Sequence, residues 1–126
     1  MVATEPSLVN SVVRTLSEHG LNTIVKDIME KDLLSGKDVK TVLVRSISPN
    51  RNIIFTIRVP ENPSIHCRIS VYISSGYVEE LAELLEDLGY IVESYENEVR
   101  ASIFVDRSML NDMVEKTLEE IMERIA

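Results

Sequence analysis

Residues 52–74, NIIFTIRVPENPSIHCRISVYIS, contain two runs in which apolar and polar residues alternate. Because successive side chains of a β-strand point to opposite faces, this period of two predicts two half-buried strands. Residues 60–64 between them combine prolines, which fix φ, with Asn and Ser, which hydrogen-bond to nearby backbone groups, and therefore predict a turn. The stretch is thus predicted to be a β-hairpin with these core-facing residues: Ile53, Phe55, Ile57, Val59, Ile65, Cys67, Ile69, Val71 and Ile73.

Length and composition predict one globular domain over residues 1–126. With 44% hydrophobic and 27% charged residues, the chain resembles an ordinary folded protein and has enough residues to bury a core. No apolar run approaches the roughly 20 residues that span a bilayer, and the N-terminal residues lack the pattern of a signal peptide. The single cysteine excludes an internal disulfide framework. We therefore expect a cytoplasmic protein with no membrane association.

The charge of the chain is strongly acidic and unevenly placed. The net charge is −8, and residues 69–99 hold eight acidic side chains and no Lys or Arg. Phosphate neutralisation dominates affinity for nucleic acids, so this charge argues against general nucleic-acid binding. The acidic region is interpreted as a solvated face or, alternatively, as a docking surface for a basic partner. The chain also lacks Gln, a trait reported for some hyperthermophile proteins.

Residues 6–35 have a helical pattern. Pro6 and Ser7 suit a helix start, and Gly20 suits a helix end. A second helix is predicted from Asn22 to Leu34, although the pattern leaves open whether Gly20 breaks or only bends a longer helix. The apolar positions that carry this prediction are Leu8, Val9, Val12, Val13, Leu16, Ile24, Val25, Ile28 and Met29.

A further strand is predicted over Val39–Ile47, which is rich in β-branched residues. If it pairs with the next strand so that residue numbers sum to 100, Leu43 lies opposite Ile57 on the core face. One additional bulged residue would reverse the facing of every side chain in the strand. The regular pairing predicts an apolar group on the outer face, which we take as a candidate partner surface: Val42, Val44 and Ile54.

The C-terminal half is predicted to form a helix, a β-hairpin and a second helix. Tyr77–Leu88 is predicted to be helical, and Tyr90–Tyr95 and Val99–Val105 are predicted to pair as strands. The last helix starts at Asp106 or Ser108. Its apolar face is wider than one sheet contact needs, which predicts packing on a second helix or subunit: Met109, Leu110, Met113, Val114, Leu118, Ile121, Met122 and Ile125.

The sequence holds little that suggests catalysis or metal binding. Neighbouring residues of a strand point to opposite faces, so His66 and Cys67 are poorly placed to share a metal, and Cys67 is interpreted as a core residue. No hydrolase, metalloprotease or phosphate-loop motif is found, so we predict neither an enzyme nor a cofactor, with an unrecognised enzyme as the least favoured alternative. If Arg58 pairs with His66 in the central hairpin, then Arg58, His66 and Arg68 share the predicted outer face with one aromatic residue, Tyr72. They are the candidate contacts for an anion or a nucleic acid.

The predicted fold is α+β, an antiparallel sheet of about five strands with helices on one face. The predicted order is one or two helices, three strands, a helix, two strands and a helix. From Leu8 to Ile125 it resembles that of type III secretion chaperones and the related YbjN-like proteins, which are small, acidic and usually dimeric. The resemblance implies a non-enzymatic, chaperone-like adaptor that binds protein segments, and the stretch Asn22–Leu34 departs from it. We therefore expect a protein partner and a homodimer that forms through the last helix or the outer sheet face. The candidate interaction surface comprises Val42, Val44, Ile54, Tyr72, Met109, Met113 and Met122.

Overall fold

Three helices and six strands make up residues 5–125, the part of the chain that this computed structural model describes. The α+β class and the antiparallel sheet are confirmed, and the sheet has one strand more than predicted. The elements are α1 (Glu5–Glu18), β1 (Asn22–Lys31), β2 (Asp38–Ile47), β3 (Ile53–Pro60), β4 (Cys67–Ser74), α2 (Val78–Asp87), β5 (Ile91–Ser94), β6 (Glu98–Val105) and α3 (Arg107–Ile125).

The six strands form one sheet in the order β1-β2-β3-β4-β6-β5, and all neighbours are antiparallel. Burial in β3 and β4 alternates residue by residue, which confirms the hairpin predicted from residues 52–74. Side chains from all three helices form one core cluster with the buried side chains of these strands. We call this covered side the inner face of the sheet and the opposite side the outer face.

Residues 22–31 form an edge strand, so the prediction of a second helix is wrong. β1 pairs with β2 along its whole length, from Asn22 opposite Ile47 to Lys31 opposite Asp38. Helical spacing is misleading here because an edge strand exposes apolar residues on both faces, and both Ile24 and Val25 are exposed. Gly20 adopts a left-handed φ of 83° and ends α1.

The pairing of β2 with β3 differs by one residue from the prediction, and this difference reverses the facing of β2. Residue numbers sum to 101, so Val44 rather than Leu43 lies opposite Ile57. Ser48 donates its backbone N–H to the carbonyl of Ile53 across a loop over residues 49–52, in which Arg51 has φ 60°. This loop sets the register. The prediction that Val42 and Val44 lie on the outer face is wrong, because both side chains are buried in the core.

The register of the central hairpin differs by two residues from the prediction, which leaves the facing unchanged. Arg58 lies opposite Arg68 rather than His66. The turn between β3 and β4 is held by α3, because the Arg107 guanidinium donates hydrogen bonds to the carbonyls of Pro60 and Asn62.

The helical layer accounts for most of the apolar surface of α3. This helix packs on α1 as well as on the sheet, and the Thr15 hydroxyl of α1 donates to the Asn111 side-chain oxygen at 2.8 Å. Met113 and Met122 pack partly buried against the core, whereas Met109 is about half exposed. Packing on a second helix therefore explains the wide apolar face of α3.

Candidate functional site

No helix of residues 5–125 covers the outer face, so its side chains face solvent. Cross-strand pairing arranges them in rows that run across the sheet. Three of these rows are Lys26–Leu43–Arg58–Arg68–Phe104, Ile24–Arg45–Thr56–Ser70–Ser102–Ile91 and Asn22–Ile47–Ile54–Tyr72–Arg100–Glu93.

Two arginines lie directly opposite each other in the first row. Like charges in such a position repel, and one of them is neutralised: the Nε of Arg58 donates to both carboxylate oxygens of Glu30, at 3.0 and 3.1 Å. The guanidinium carbon of Arg68 lies 5.5 Å from the ring centroid of Phe104, and its buried Nε has no hydrogen-bond partner. Of the two arginines, Arg68 is therefore the one available to an acidic group.

A second cluster of aromatic and charged side chains lies where β4, β5 and β6 meet. The guanidinium carbon of Arg100 is 5.7 Å from the Tyr72 ring centroid and 5.4 Å from that of Tyr95. The Glu98 carboxylate beside Tyr72 raises the pKa of that phenol. Tyr95 donates its hydroxyl to Glu93 at 2.8 Å, and this hydrogen bond raises the pKa of Tyr95. Both phenols are thereby favoured as neutral donors.

Between these clusters the surface of the sheet forms a shallow open groove. Its lining mixes apolar, hydroxyl and charged groups from β4, β5 and β6. The outer-face residues that line it are Arg68, Ser70, Tyr72, Ile91, Glu93, Arg100 and Ser102.

The predicted anion contacts are only partly brought together. Arg58 and Arg68 are neighbours, but His66 precedes β4 and places its Nε2 2.8 Å from an Asp106 carboxylate oxygen. Cys67 is fully buried, as predicted, and burial raises the pKa of its thiol. Among residues 5–125 no group of three His, Cys, Asp or Glu side chains is arranged to hold a metal ion.

Of the predicted interaction residues, Ile54 and Tyr72 lie on the outer face. An exposed aromatic side chain of that face, Phe104 at 63%, was not among the predicted residues. A signal for it was present, because the alternation of Val99, Ala101, Ile103 and Val105 on the inner face places Phe104 on the other side. The β2 residues of the outer face are Leu43, Arg45 and Ile47, in place of Val42 and Val44.

The fold separates the charges of the chain. The outer-face rows and their flanking residues carry five basic side chains and three acidic ones, a balance of +2. Because the net charge is −8, the rest of the sequence has a balance of −10. The basic residues are Lys26, Arg45, Arg58, Arg68 and Arg100, and the acidic ones are Glu30, Glu93 and Glu98.

In the described range 5–125, no helix is both long enough and apolar enough to cross a bilayer. No family model, no curated protein and no solved structure matches this chain.

Proposed function

We propose that this chain is a cytoplasmic, non-enzymatic protein-interaction module with a chaperone-like role, and that it binds an acidic amphipathic segment of a partner protein on its outer face. The observation that carries the proposal is the composition of that face. An open antiparallel sheet usually presents polar residues to water. Here one row after another mixes large apolar side chains with cations, and no helix covers them.

The apolar part of the outer face supplies the driving force for binding. Phe104 and Ile91 are 63% and 75% exposed on β6 and β5, and Leu43, Ile47 and Ile54 lie partly exposed on β2 and β3. Burying a large apolar side chain contributes about 1.5–3 kcal/mol, which a partner needs in order to offset the entropy lost on association. Several such residues on the same open face favour a protein segment as the occupant.

The charged part of the face specifies an acidic partner. Lys26, Arg45 and Arg68 make no salt bridge within the described residues, and Arg68 also has a buried Nε without an acceptor. A carboxylate placed over Arg68 would form a charge-assisted hydrogen bond with its guanidinium group. The resemblance of the element order to secretion chaperones, which implies binding of protein segments, supports the same conclusion.

Single-stranded RNA is the second candidate, because of one observation that sequence reasoning lacked. Tyr72 and Phe104 lie on the adjacent strands β4 and β6, each with an arginine over its ring. Sheet-based RNA-binding domains stack bases on aromatic side chains in such positions. We place this candidate second because an oligonucleotide carries a phosphate at every nucleotide and would bring some of them against Glu30, Glu93 and Glu98 on the same face, whereas a peptide carries carboxylates only at selected positions.

The test is a titration of 15N-labelled protein, followed by amide chemical shifts, with three probes. These are a helical peptide that alternates Glu- and Leu-rich faces, the same peptide with Lys for Glu, and a uridine dodecamer. We expect the acidic peptide to shift amides of β2, β3, β4 and β6. We also expect Arg68→Ala to weaken its binding about tenfold, the loss of one hydrogen bond to a charged group.

Arg124→Ala is the matched control, since it removes an exposed arginine from the last turn of α3, on the helical side, and should leave the affinity unchanged. Shifts confined to the helices, or equal weakening by both variants, would overturn the proposal. A response of the outer face to the oligonucleotide and not to the acidic peptide would replace it with the RNA candidate.

A further inference from the structure

The edge strand β1 is a second open surface, separate from the outer face. It hydrogen-bonds to β2 on one side, and its other side ends the sheet. Such an edge presents a row of unpaired backbone N–H and C=O groups, which form a template for another strand. The opposite edge is formed by the short strand β5, only 4 residues long, whereas β1 has 10.

Both faces of β1 expose apolar side chains as well. Ile24, Val25 and Met29 are exposed, and Met29 is 62% accessible. The turn that follows β1 carries Leu33 and Leu34, which are 93% and 98% exposed. Exposed apolar residues on a long edge strand are normally a liability, which indicates that another chain covers this edge.

The charges of β1 identify a second copy of the same strand as the occupant. In a symmetric antiparallel pair that continues the sheet, opposite residues share a face, so their numbers sum to an even value. In each such register the residue whose number is half the sum lies opposite its own copy. For sums of 52, 54, 60 and 62 that residue is Lys26, Asp27, Glu30 and Lys31 respectively, and each of these like-charge contacts is repulsive.

A sum of 58 avoids every such contact. It places Met29 against Met29 at the two-fold axis and Asp27 against Lys31 on both sides of it. Neither Asp27 nor Lys31 makes a salt bridge within residues 5–125. The same register directs the Leu33–Leu34 turn of one copy towards Ile24 and Val25 of the other.

The remaining even register near the strand centre, a sum of 56, is less favourable. It would use Glu30 as the partner of Lys26, but Glu30 already binds Arg58 within its own chain. It also places Lys31 opposite Val25 and Asp27 opposite Met29, so that neither of these charges gains an ion pair across the interface.

We propose that this protein forms a homodimer by antiparallel pairing of β1 with β1 of a second copy, with Met29 at the two-fold axis and reciprocal Asp27–Lys31 ion pairs. The pairing joins the two sheets into one of twelve strands. Because the two-fold axis is perpendicular to the sheet, both helical layers lie on one side and both outer faces stay open on the other. This dimer is independent of what binds the outer face.

Disulfide trapping tests the register. The single native cysteine, Cys67, is buried and gives little background. Cα atoms of opposite residues in an antiparallel pair are about 4.5–5.5 Å apart, within the range that a disulfide spans. We expect Met29→Cys to form a covalent dimer rapidly under mild oxidation, whereas Ile91→Cys, which is more exposed but lies on the opposite edge, stays monomeric on denaturing gels. Rapid trapping of Ile28→Cys in place of Met29→Cys would overturn the proposed register.

A charge exchange tests the ion pairs in solution. Asp27→Lys alone, or Lys31→Asp alone, creates two like-charge contacts per dimer, and we expect the dimer dissociation constant from sedimentation equilibrium to rise at least about tenfold. The double variant should restore the wild-type value. Both residues are exposed in the monomer, so circular dichroism should stay unchanged. A wild-type monomer at high micromolar concentration, or a double variant that is no better than the single ones, would overturn the proposal.

Discussion

The facing of β2 can be tested with two neighbouring substitutions, Val44→Ala and Leu43→Ala. Val44 is fully buried on the inner face, whereas Leu43 lies partly exposed on the outer face. Val44→Ala removes two buried methyl groups, each worth about 0.8 kcal/mol, and leaves a cavity, so we expect the free energy of unfolding to fall by about 2–3 kcal/mol. Leu43→Ala removes a larger side chain, but from a wet surface that leaves no closed cavity, and should cost about 1 kcal/mol.

The assay is urea denaturation followed by circular dichroism at low protein concentration, with the slope m compared between variants. An unchanged m would show that the midpoints report stability rather than a change in the denatured state. Pairing in which residue numbers sum to 100 would place Leu43 in the core and reverse the order of the two losses. A larger loss for Leu43→Ala than for Val44→Ala would therefore refute the facing described here.

Two further predictions concern Tyr90 and Gly89, which follow α2. Burial raises the pKa of Tyr90 to about 12, from 10.0, so the folded state holds this proton more tightly than the unfolded state does. The stability from this difference is complete below pH 10 and is lost as the pH rises to 12. Between pH 10 and 12 the free energy of unfolding of Tyr90→Phe should fall by about 2–3 kcal/mol less than that of the wild type. At neutral pH the variant should be about 1 kcal/mol less stable than the wild type, because it lacks the hydrogen bond to Thr117. Gly89→Ala should lower the free energy of unfolding by more than about 1 kcal/mol, because Gly89 has φ 101° and a Cβ there would lie 3.3 Å from Ile103. The control is Gly76→Ala, which has open space around it and should change the free energy by less than about 0.5 kcal/mol. Equal effects of the two variants in thermal melts would contradict this reasoning.

The elements that sequence reasoning predicted well are those whose burial is set by local pattern. In β3 and β4 one face is fully covered, so apolar residues alternate without interruption and Cys67 could be placed in the core. The helices α1, α2 and α3 likewise bury one regular stripe each, and their predicted bounds differ little from the observed ones.

The errors occurred where distant pairing, rather than local pattern, decides the structure. The apolar residues of β1 are exposed on both faces, so they do not alternate with polar residues as they do in a half-buried strand. In β2 a polar residue, Ser46, faces inwards and is satisfied by the hydroxyl of Thr23 at 2.7 Å, a partner that exists only because β1 is a strand. The missed strand therefore also concealed the facing of β2.

These two corrections also change where the protein can bind other molecules. A helix over residues 22–34 would have left β2 as the edge and Val42 and Val44 as the apolar patch, whereas the observed fold buries both valines. The open apolar surface is now divided between the β1 edge and the rows through Arg68 and Phe104.

Edge pairing would place two such outer faces side by side on one side of a continuous sheet. A partner with two acidic segments could then occupy both, and the second contact, being intramolecular, would raise its apparent affinity above that of one segment by a factor set by the linker between them. A partner with one segment would gain nothing from the dimer, so comparing one- and two-segment acidic peptides on wild-type protein and on Asp27→Lys separates the contribution of the edge from that of the outer face.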